Sequence, residues 1–269
     1  MLVRCQTLRA GSARHLERVV LRTGRWRVVD LPMMVGLLEH RTEGLVLFDA
    51  GYGTALHQAT EPLSNRAYRW LAPYQITEQT TAAGRLRALG LDPRAVRHVI
   101  LSHFHPDHIG GARDFPNATL HASWTAWRTV ADLSGLRRRL GAWFPELLPP
   151  DFLDRVCWVD PQGEDEVDWL GDGSLRMLAL PGHARGQLGL RATLPGGHQV
   201  LFAADASWTS RGIREEQPAS WLATSILDDA GAARQTLRRL HNLSVDPGLD
   251  IVPSHCPEQG ERRWLAPER

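Results

Sequence analysis

Apolar residues in this chain gather into short runs with abrupt polar or glycine stops. Residues 25–40, "RWRVVDLPMMVGLLEH", and 45–53, "LVLFDAGYG", flank the turn "RTEG" and predict an antiparallel hairpin. The second run ends in Asp-Ala-Gly, as a buried strand does when it delivers its last residue to a surface. A helix is expected over residues 77–91, where Leu86, Leu89 and Leu91 recur near helical spacing and Gly90 marks the stop. Residues 96–103 and 118–123 predict two more strands, and Ser123 caps a helix that opens with "WTAW". Three further strands, "GSLRMLAL", "QLGLRATL" and "HQVLFAAD", are separated by Pro-Gly turns. A helix over 218–243, interrupted near Gly231, and a last strand ending "IVPSH" complete the pattern.

Strands in runs, with helices inserted between the runs, imply an α+β fold of two packed sheets with helices outside. No linker or repeat divides the chain, so one domain is expected over residues 1–269. Residues 54–75 and 132–152 read as neither sheet nor regular helix. Both are rich in Trp, Tyr, Leu and Pro, and they suit lid-like insertions or, equally, the surface of a homodimer.

Composition narrows the function by exclusion. A net charge of +1 gives no broad pull toward nucleic acid or an anionic membrane, so neither is expected as a partner. The run Arg137–Arg139 reads as a solvated helix face. The chain has no lysine, which excludes Schiff-base chemistry and a P-loop lysine. Cys5, Cys157 and Cys256 are scattered thiols that form no disulfide framework and fit a reducing compartment. The first twenty residues lack the apolar core of a secretory signal, and no apolar run approaches the roughly 18 residues of a membrane span. A cytoplasmic location is expected.

The chemistry concentrates in "LSHFHPDHIGG", residues 101–111. His103 and His105 are two apart on an extended stretch, so both imidazoles can face one cation. Asp107 and His108 follow a proline bend and can face a second. Imidazole with carboxylate suits zinc, with manganese, iron or cobalt as substitutes. His183 follows a strand and a Pro-Gly turn, Asp205 ends "VLFAAD", and His255 ends "IVPSH". Strand ends converge on one edge of a sheet, so these distant residues can complete the site. His15, His57, His98, His198 and His241 read as structural or surface histidines.

The order of these motifs, "HFHPDHIGG", "PGHARGQ", "FAAD" and "PSH", resembles the metallo-β-lactamase superfamily, from about residue 30 to residue 256. The resemblance implies a four-layer αββα sandwich with the metals at one edge. It implies that His103, His105 and His183 hold one metal, that Asp107, His108 and His255 hold the second, and that Asp205 bridges both. Asp49 sits where the family places a carboxylate that orients a ligand histidine, with Ser102 and Ser254 as weaker neighbours. Two zinc ions are the expected cofactors; iron or manganese, or a single iron, are alternatives. The implied reaction is hydrolysis of a lactone or carboxylic ester by a metal-activated hydroxide, with Asp107 also moving a proton to the leaving group.

Within the superfamily, Asp205 and the His183–Asp205–His255 spacings are most similar to the N-acyl-homoserine lactonase group. A glyoxalase II-like thioesterase and a mononuclear iron persulfide dioxygenase are the alternatives. One departure stands out: Trp208 occupies the position where such lactonases usually have tyrosine, with Ser207 and Thr209 as alternative hydroxyls. The expected substrate is a small molecule with an apolar acyl part. Candidates for its pocket are Trp208, Trp70, Tyr68, Trp143 and Phe144, with Tyr74 next.

Overall fold

In a computed structural model the protein is described over residues 1–162, 166–220, 223 and 228–265. Strands β1 (Leu2–Leu16), β2 (Val28–His40), β3 (Gly44–Phe48), β4 (Tyr74–Gln75), β5 (Val96–Ile100), β6 (Thr119–Ala122) and β7 (Val156–Trp158) build one sheet. Strands β8 (Glu166–Asp168), β9 (Leu175–Ala179), β10 (Leu188–Thr193), β11 (Gln199–Ala204) and β12 (Leu249–Pro253) build the second. The chain then returns as β13 (Arg263–Leu265) to the far edge of the first sheet, beside β1.

The hairpin expected from the sequence is β2–β3, antiparallel with His40 opposite Gly44. From β3 onward the first sheet turns parallel, through β5, β6 and β7. In the second sheet β11 and β12 are parallel and the rest antiparallel. The parallel pairs fix the location of the site, because their carboxyl ends lie on one edge.

Period-two alternation sorts the apolar residues into layers. On β3, Val46 and Phe48 face the second sheet, where they meet Met177, Leu190, Val200 and Phe202. Phe48 and Phe202 stand 5.7 Å apart, ring centre to ring centre. Leu45 and Leu47 point the other way and pack with Leu56, Leu86 and Phe115 from the helical layer. On β11, Val200 and Phe202 face inward while Leu201 and Ala203 meet Leu237 and Leu240 of the helix Ala230–Leu243. Three apolar seams therefore separate four layers, helix–sheet–sheet–helix. Each fully buried Leu or Phe in these seams contributes about 1.5–3 kcal/mol.

Several elements differ from the sequence expectation. The final long helix starts at Ala230, where an extended Asp229 accepts hydrogen bonds from the amides of Gly231 and Ala232, so the break expected near Gly231 falls at Asp228–Asp229 and Gly231 lies in the first turn. Residues 221, 222 and 224–227 of the expected helix lie outside the described residues. The helix expected over 77–91 is confined to Ala82–Ala88, capped by Thr81. Residues 54–75 and 132–152 hold the short helices Ala55–Ala59, Ala67–Leu71 and Gly135–Leu140. Leu56, Ala59, Trp143, Phe144 and Leu147 from these segments join the core on the outer face of the first sheet, while Leu63, Leu71, Leu136 and Leu140 stay exposed. Among the described residues no helix is long and apolar enough to cross a membrane.

One buried histidine gives the fold a pH signature. His121, on β6, contacts His98 and Trp169, and burial pushes its pKa down to about 4, with His98 adding to the shift. The folded chain therefore holds this imidazole neutral where the unfolded chain would protonate it. That contribution is full above pH 6.5 and drains away as pH falls toward 4. In urea unfolding, wild type is expected to lose stability relative to His121→Leu across this window. A constant difference between the two proteins would contradict the assignment.

Candidate metal centre

The site is built at the carboxyl ends of β3, β5, β11 and β12. Immediately after β3, Asp49 is buried and adopts a left-handed backbone, φ 63°. That conformation is costly for a residue with a Cβ and is typical of functional sites. Here it turns the chain sharply so that the following loop lies against the loop after β5. The Ala50 amide donates to the His108 carbonyl (2.8 Å) and the Gly111 amide to the Gly51 carbonyl (3.0 Å). A Cβ on Gly53 would lie 2.0 Å from the Gly110 carbonyl oxygen, and one on Gly111 would lie 2.3 Å from that of Ala50. Only glycine permits this approach. Within the second loop Pro106 opens a single helical turn that carries Asp107 and His108.

Two groups of donor atoms result, each with its atoms within 4.8 Å of one another. The first is His103, His105 and His183. His105 Nδ1 lies 2.9 Å from Nε2 of His103 and 2.9 Å from Nε2 of His183. The second is Asp107, His108, Asp205 and His255. Asp205 Oδ1 lies 3.3 Å from His108 Nε2 and 3.2 Å from His255 Nε2, while Asp107 Oδ2 is 3.2 Å from the same His255 nitrogen. The other Asp205 oxygen, Oδ2, faces the first group, 3.4 Å from His183 Nε2. One carboxylate thus addresses both groups.

The ligand imidazoles are oriented from behind. Asp49 accepts from the Ser102 amide (2.7 Å) and the Ser102 hydroxyl (2.9 Å), and it pairs with His108 Nδ1 at 2.7 Å. Ser102 Oγ also meets His103 Nδ1 at 3.0 Å. His255 Nδ1 is held by the Pro32 carbonyl at 3.0 Å. In each case Nδ1 is engaged and Nε2 faces the group centre. The Pro32 contact crosses from the second sheet to the first, beside a hydrogen bond from the Met34 amide to the Ser254 carbonyl (2.9 Å). Ser254 contributes through this carbonyl.

Burial opposes charge at every ligand, and the two groups resolve the conflict differently. In the first, burial prevails: His103 is held well below the usual imidazole range, His105 is lowered, and His183 is pushed down to about 3. In the second, the carboxylates outweigh burial. Asp49, Asp107 and Asp205 hold His108 well above its usual range, and Asp205 with Asp107 raises His255 to about 10. Burial would likewise raise both acids, but His108 and His255 bring Asp107 to about 2 and hold Asp205 well below the carboxylate range. Even so, His108 Nε2 and Asp205 Oδ1 are buried without a hydrogen-bond partner. Such atoms are costly to bury, and a cation between them removes the cost. Converging imidazole nitrogens and carboxylate oxygens fit zinc in both groups.

All seven predicted ligands meet at this centre, and Asp49 stands behind it. The pocket candidates are dispersed. Trp208 lines a cleft of about 700 Å³ whose floor is His183 and Asp205. Trp143 and Phe144 are core residues, each 2% exposed, with Trp143 against Phe104 and Trp127; an apolar seam needs large rings as much as a pocket does. Trp70 is 82% exposed to solvent. Tyr68 packs edge-on against Phe144 at 5.3 Å with Tyr74 beside it, and burial, then Asp107 and Asp205 of the centre, raise its pKa well above the usual phenol range. The cleft walls come instead from residues 16–26 and from 206–237, so neither aromatic insertion lines it. Nothing in the sequence of residues 16–26 marked them.

The polar groups around 208 already have local partners. Trp208 Nε1 donates to Asp205 Oδ2 (2.9 Å), Ser207 Oγ donates to the Thr209 carbonyl, and Thr209 Oγ1 caps the helix Ser210–Arg214. His57, His198 and His241 make peripheral contacts with Ile76, Asp250 and Ile213. His15 differs. Its pKa is lowered by burial and then by His255, which places it at the rim of the centre.

Comparison with known proteins agrees with this geometry. A family profile described as the metallo-beta-lactamase superfamily matches residues 30–255. A Mycobacterium tuberculosis protein named "Probable metallo-hydrolase" is 31% identical over 82% of this chain and 74% of its own length. The N-acyl homoserine lactonase AttM of Rhizobium johnstonii is 26% identical over 99% of this chain and 98% of its own. Among solved structures, a variant of AiiA from B. thuringiensis, with N-decanoyl-L-homoserine bound at its active site, superposes with a TM-score of 0.75. It is 22% identical, over 96% of this chain and 95% of that one. The chain belongs to the metallo-beta-lactamase superfamily, as a hydrolytic enzyme.

Two outcomes are expected. Asp49→Asn keeps the size of the side chain but removes the charge that His108 leans on. Zinc affinity is expected to fall about tenfold to a hundredfold, measured by chelator competition. An unchanged affinity would refute the orienting role. Second, His108 and His255 carry protons at neutral pH that a cation must displace, so zinc is expected to bind more tightly at about pH 8 than at about pH 6 and to release protons. Affinity that does not vary with pH would contradict the protonation described above.

Proposed function

We propose that the protein is a dinuclear zinc hydrolase that opens a lactone or carboxylic ester. The observation that carries this reading is the pair of donor groups sharing Asp205, set at the floor of a cleft. Bound there, two zinc ions would activate water near neutral pH and polarise a carbonyl. His103, His105 and His183 would hold one ion, Asp107, His108 and His255 the other, and Asp205, which faces both groups, would serve both. The relatives named N-acyl homoserine lactonase support the lactone over a thioester.

The chain's own groups have distinct tasks. Asp107 takes a proton from the water whose oxygen bonds to the acyl carbon and returns it to the alkoxide oxygen released as the acyl C–O bond breaks. His108 and His255 stay fixed by Asp49 and the Pro32 carbonyl while that proton moves. Trp208 spends its N–H on Asp205, so it holds the shared carboxylate rather than the substrate carbonyl, the task assigned to tyrosine at this position. Val19, Trp208 and Leu237 line the cleft and receive the apolar acyl part.

The test joins metal analysis to turnover. Zinc at about two per chain, with hydrolysis in a panel of lactones, esters and thioesters, is the expected result. His105→Ala and Asp107→Ala are expected to lower kcat about a hundredfold or more while the fold persists. Full activity in either variant would remove the assignment. About one iron per chain and a requirement for dioxygen would move it to oxidation of a persulfide.

A further inference from the structure

The cleft above the centre carries a charge pattern that hydrolysis of a neutral lactone does not call for. At its floor are His183 and Asp205, and Asp205 is the one acid among the described lining residues. Its charged rim is arginine: Arg18, Arg22 and Arg234, all exposed. Over the whole chain the charges nearly balance, with 31 basic residues and 30 acidic. The imbalance is therefore local to the cleft.

Neighbouring arginines show what these elements do with a guanidinium that has no ligand to meet. Arg27 pairs with Glu17, Arg211 with Glu215, Arg214 with Glu258 and Arg238 with Glu216. Arg18 braces the rim itself: it donates to the Arg22 carbonyl and stacks over Trp26, 5.7 Å from the ring centre. Arg22 and Arg234 make no ion pair with any described residue. The acids close by in sequence are occupied. Asp228 accepts from the Arg185 amide, and Asp229 caps the helix that carries Arg234. Two guanidiniums without an ion pair among the described residues thus line one cleft, one on the β1–β2 connection and one on the helix Ala230–Leu243. Between rim and floor, Val19, Trp208 and Leu237 give the wall an apolar strip beside Ser207, Thr209 and Gln217.

We propose that the cleft binds the non-reacting end of the substrate, and that this end bears an anion, a carboxylate or a phosphate, met by Arg22 and Arg234. The substrate is then an amphiphile: an ester or lactone at the metals, an apolar spacer, and a charge at the mouth. The assignment rests on the hydrolase reading of the centre, because it describes the remainder of that enzyme's substrate. Guanidinium is the donor suited to both anions, through paired N–H groups.

Calorimetry on the zinc-loaded protein tests it without turnover. Dicarboxylates from hexanedioate to dodecanedioate are titrated beside monocarboxylates of equal length, with ω-phosphonates as a third arm. One carboxylate meets the metals in every case, so the difference reports the far end. At the favoured length the second anion is expected to tighten Kd about fivefold, the scale of a partly exposed ion pair, and added salt is expected to erase the gain. Arg22→Gln with Arg234→Gln is expected to lose the gain, and Arg22→Lys with Arg234→Lys to retain most of it. The better of carboxylate and phosphonate names the anion. Equal Kd values for mono- and dicarboxylates at every length would overturn the proposal, as would a gain that survives the double glutamine variant. Lactone turnover measured in parallel separates the two readings. An anion preference without hydrolysis removes the esterase assignment, and hydrolysis without the preference removes this one.

Discussion

Everything at the metal centre depends on one contact between two stretches of backbone. The loop after β3 and the loop after β5 meet amide to carbonyl, with no side chain between them. Because glycine stands on both sides, the approach is close enough for Asp49 to reach behind the ligands and engage Ser102 and His108 together. The left-handed backbone at Asp49 is the cost of that reach, and its hydrogen bonds offset it. The same conformation recurs at Ala204, just before Asp205. Two strands therefore end in a sharp, strained turn that aims a carboxylate along the site edge.

The electrostatics follow from placing so many ionisable groups where water cannot screen them. Protonated His108 and His255 neutralise the acids when no cation does. This arrangement is stable but unfinished, since donor atoms remain buried without partners. Metal binding completes the hydrogen-bonding and charge balance together, so it also stabilises the fold. The folding scaffold carries the cost of the site, chiefly through the apolar seam between the sheets.

The candidate ligands were legible because their signal is short-ranged: four lie within residues 103–108, and the other three each follow or end an apolar strand. The two packed sheets were legible from runs of short apolar strands with helices between them, and the four layers from the family resemblance; alternation sorts the faces of β3 and β11 once those strands are placed. What escaped has physical reasons. β1 is a 15-residue strand, but its register shifts between Arg9 and Ser12 and breaks the period that would reveal it. The Pro32 contact uses a carbonyl that every residue possesses, so no side chain announces it. The aromatic insertions looked like pocket because ring content gives no direction; tertiary packing sent Trp143 inward and left Trp70 outside. The cleft wall at residues 16–26 was invisible because it acquires meaning only opposite residues 206–237.

The Pro32 carbonyl also ties chemistry to mechanics. His255 belongs to the second sheet, yet the first sheet sets the rotation of its imidazole. Next to it, the Met34 amide and Ser254 carbonyl bolt the sheets together at that level. A small slide of one sheet over the other leaves the apolar seam largely intact but turns this ring off its axis. The centre is in effect a gauge of how well the two halves of the sandwich are seated. Seating of the two sheets and aim of the His255 ring are thus one mechanical quantity, set by the same strip of backbone.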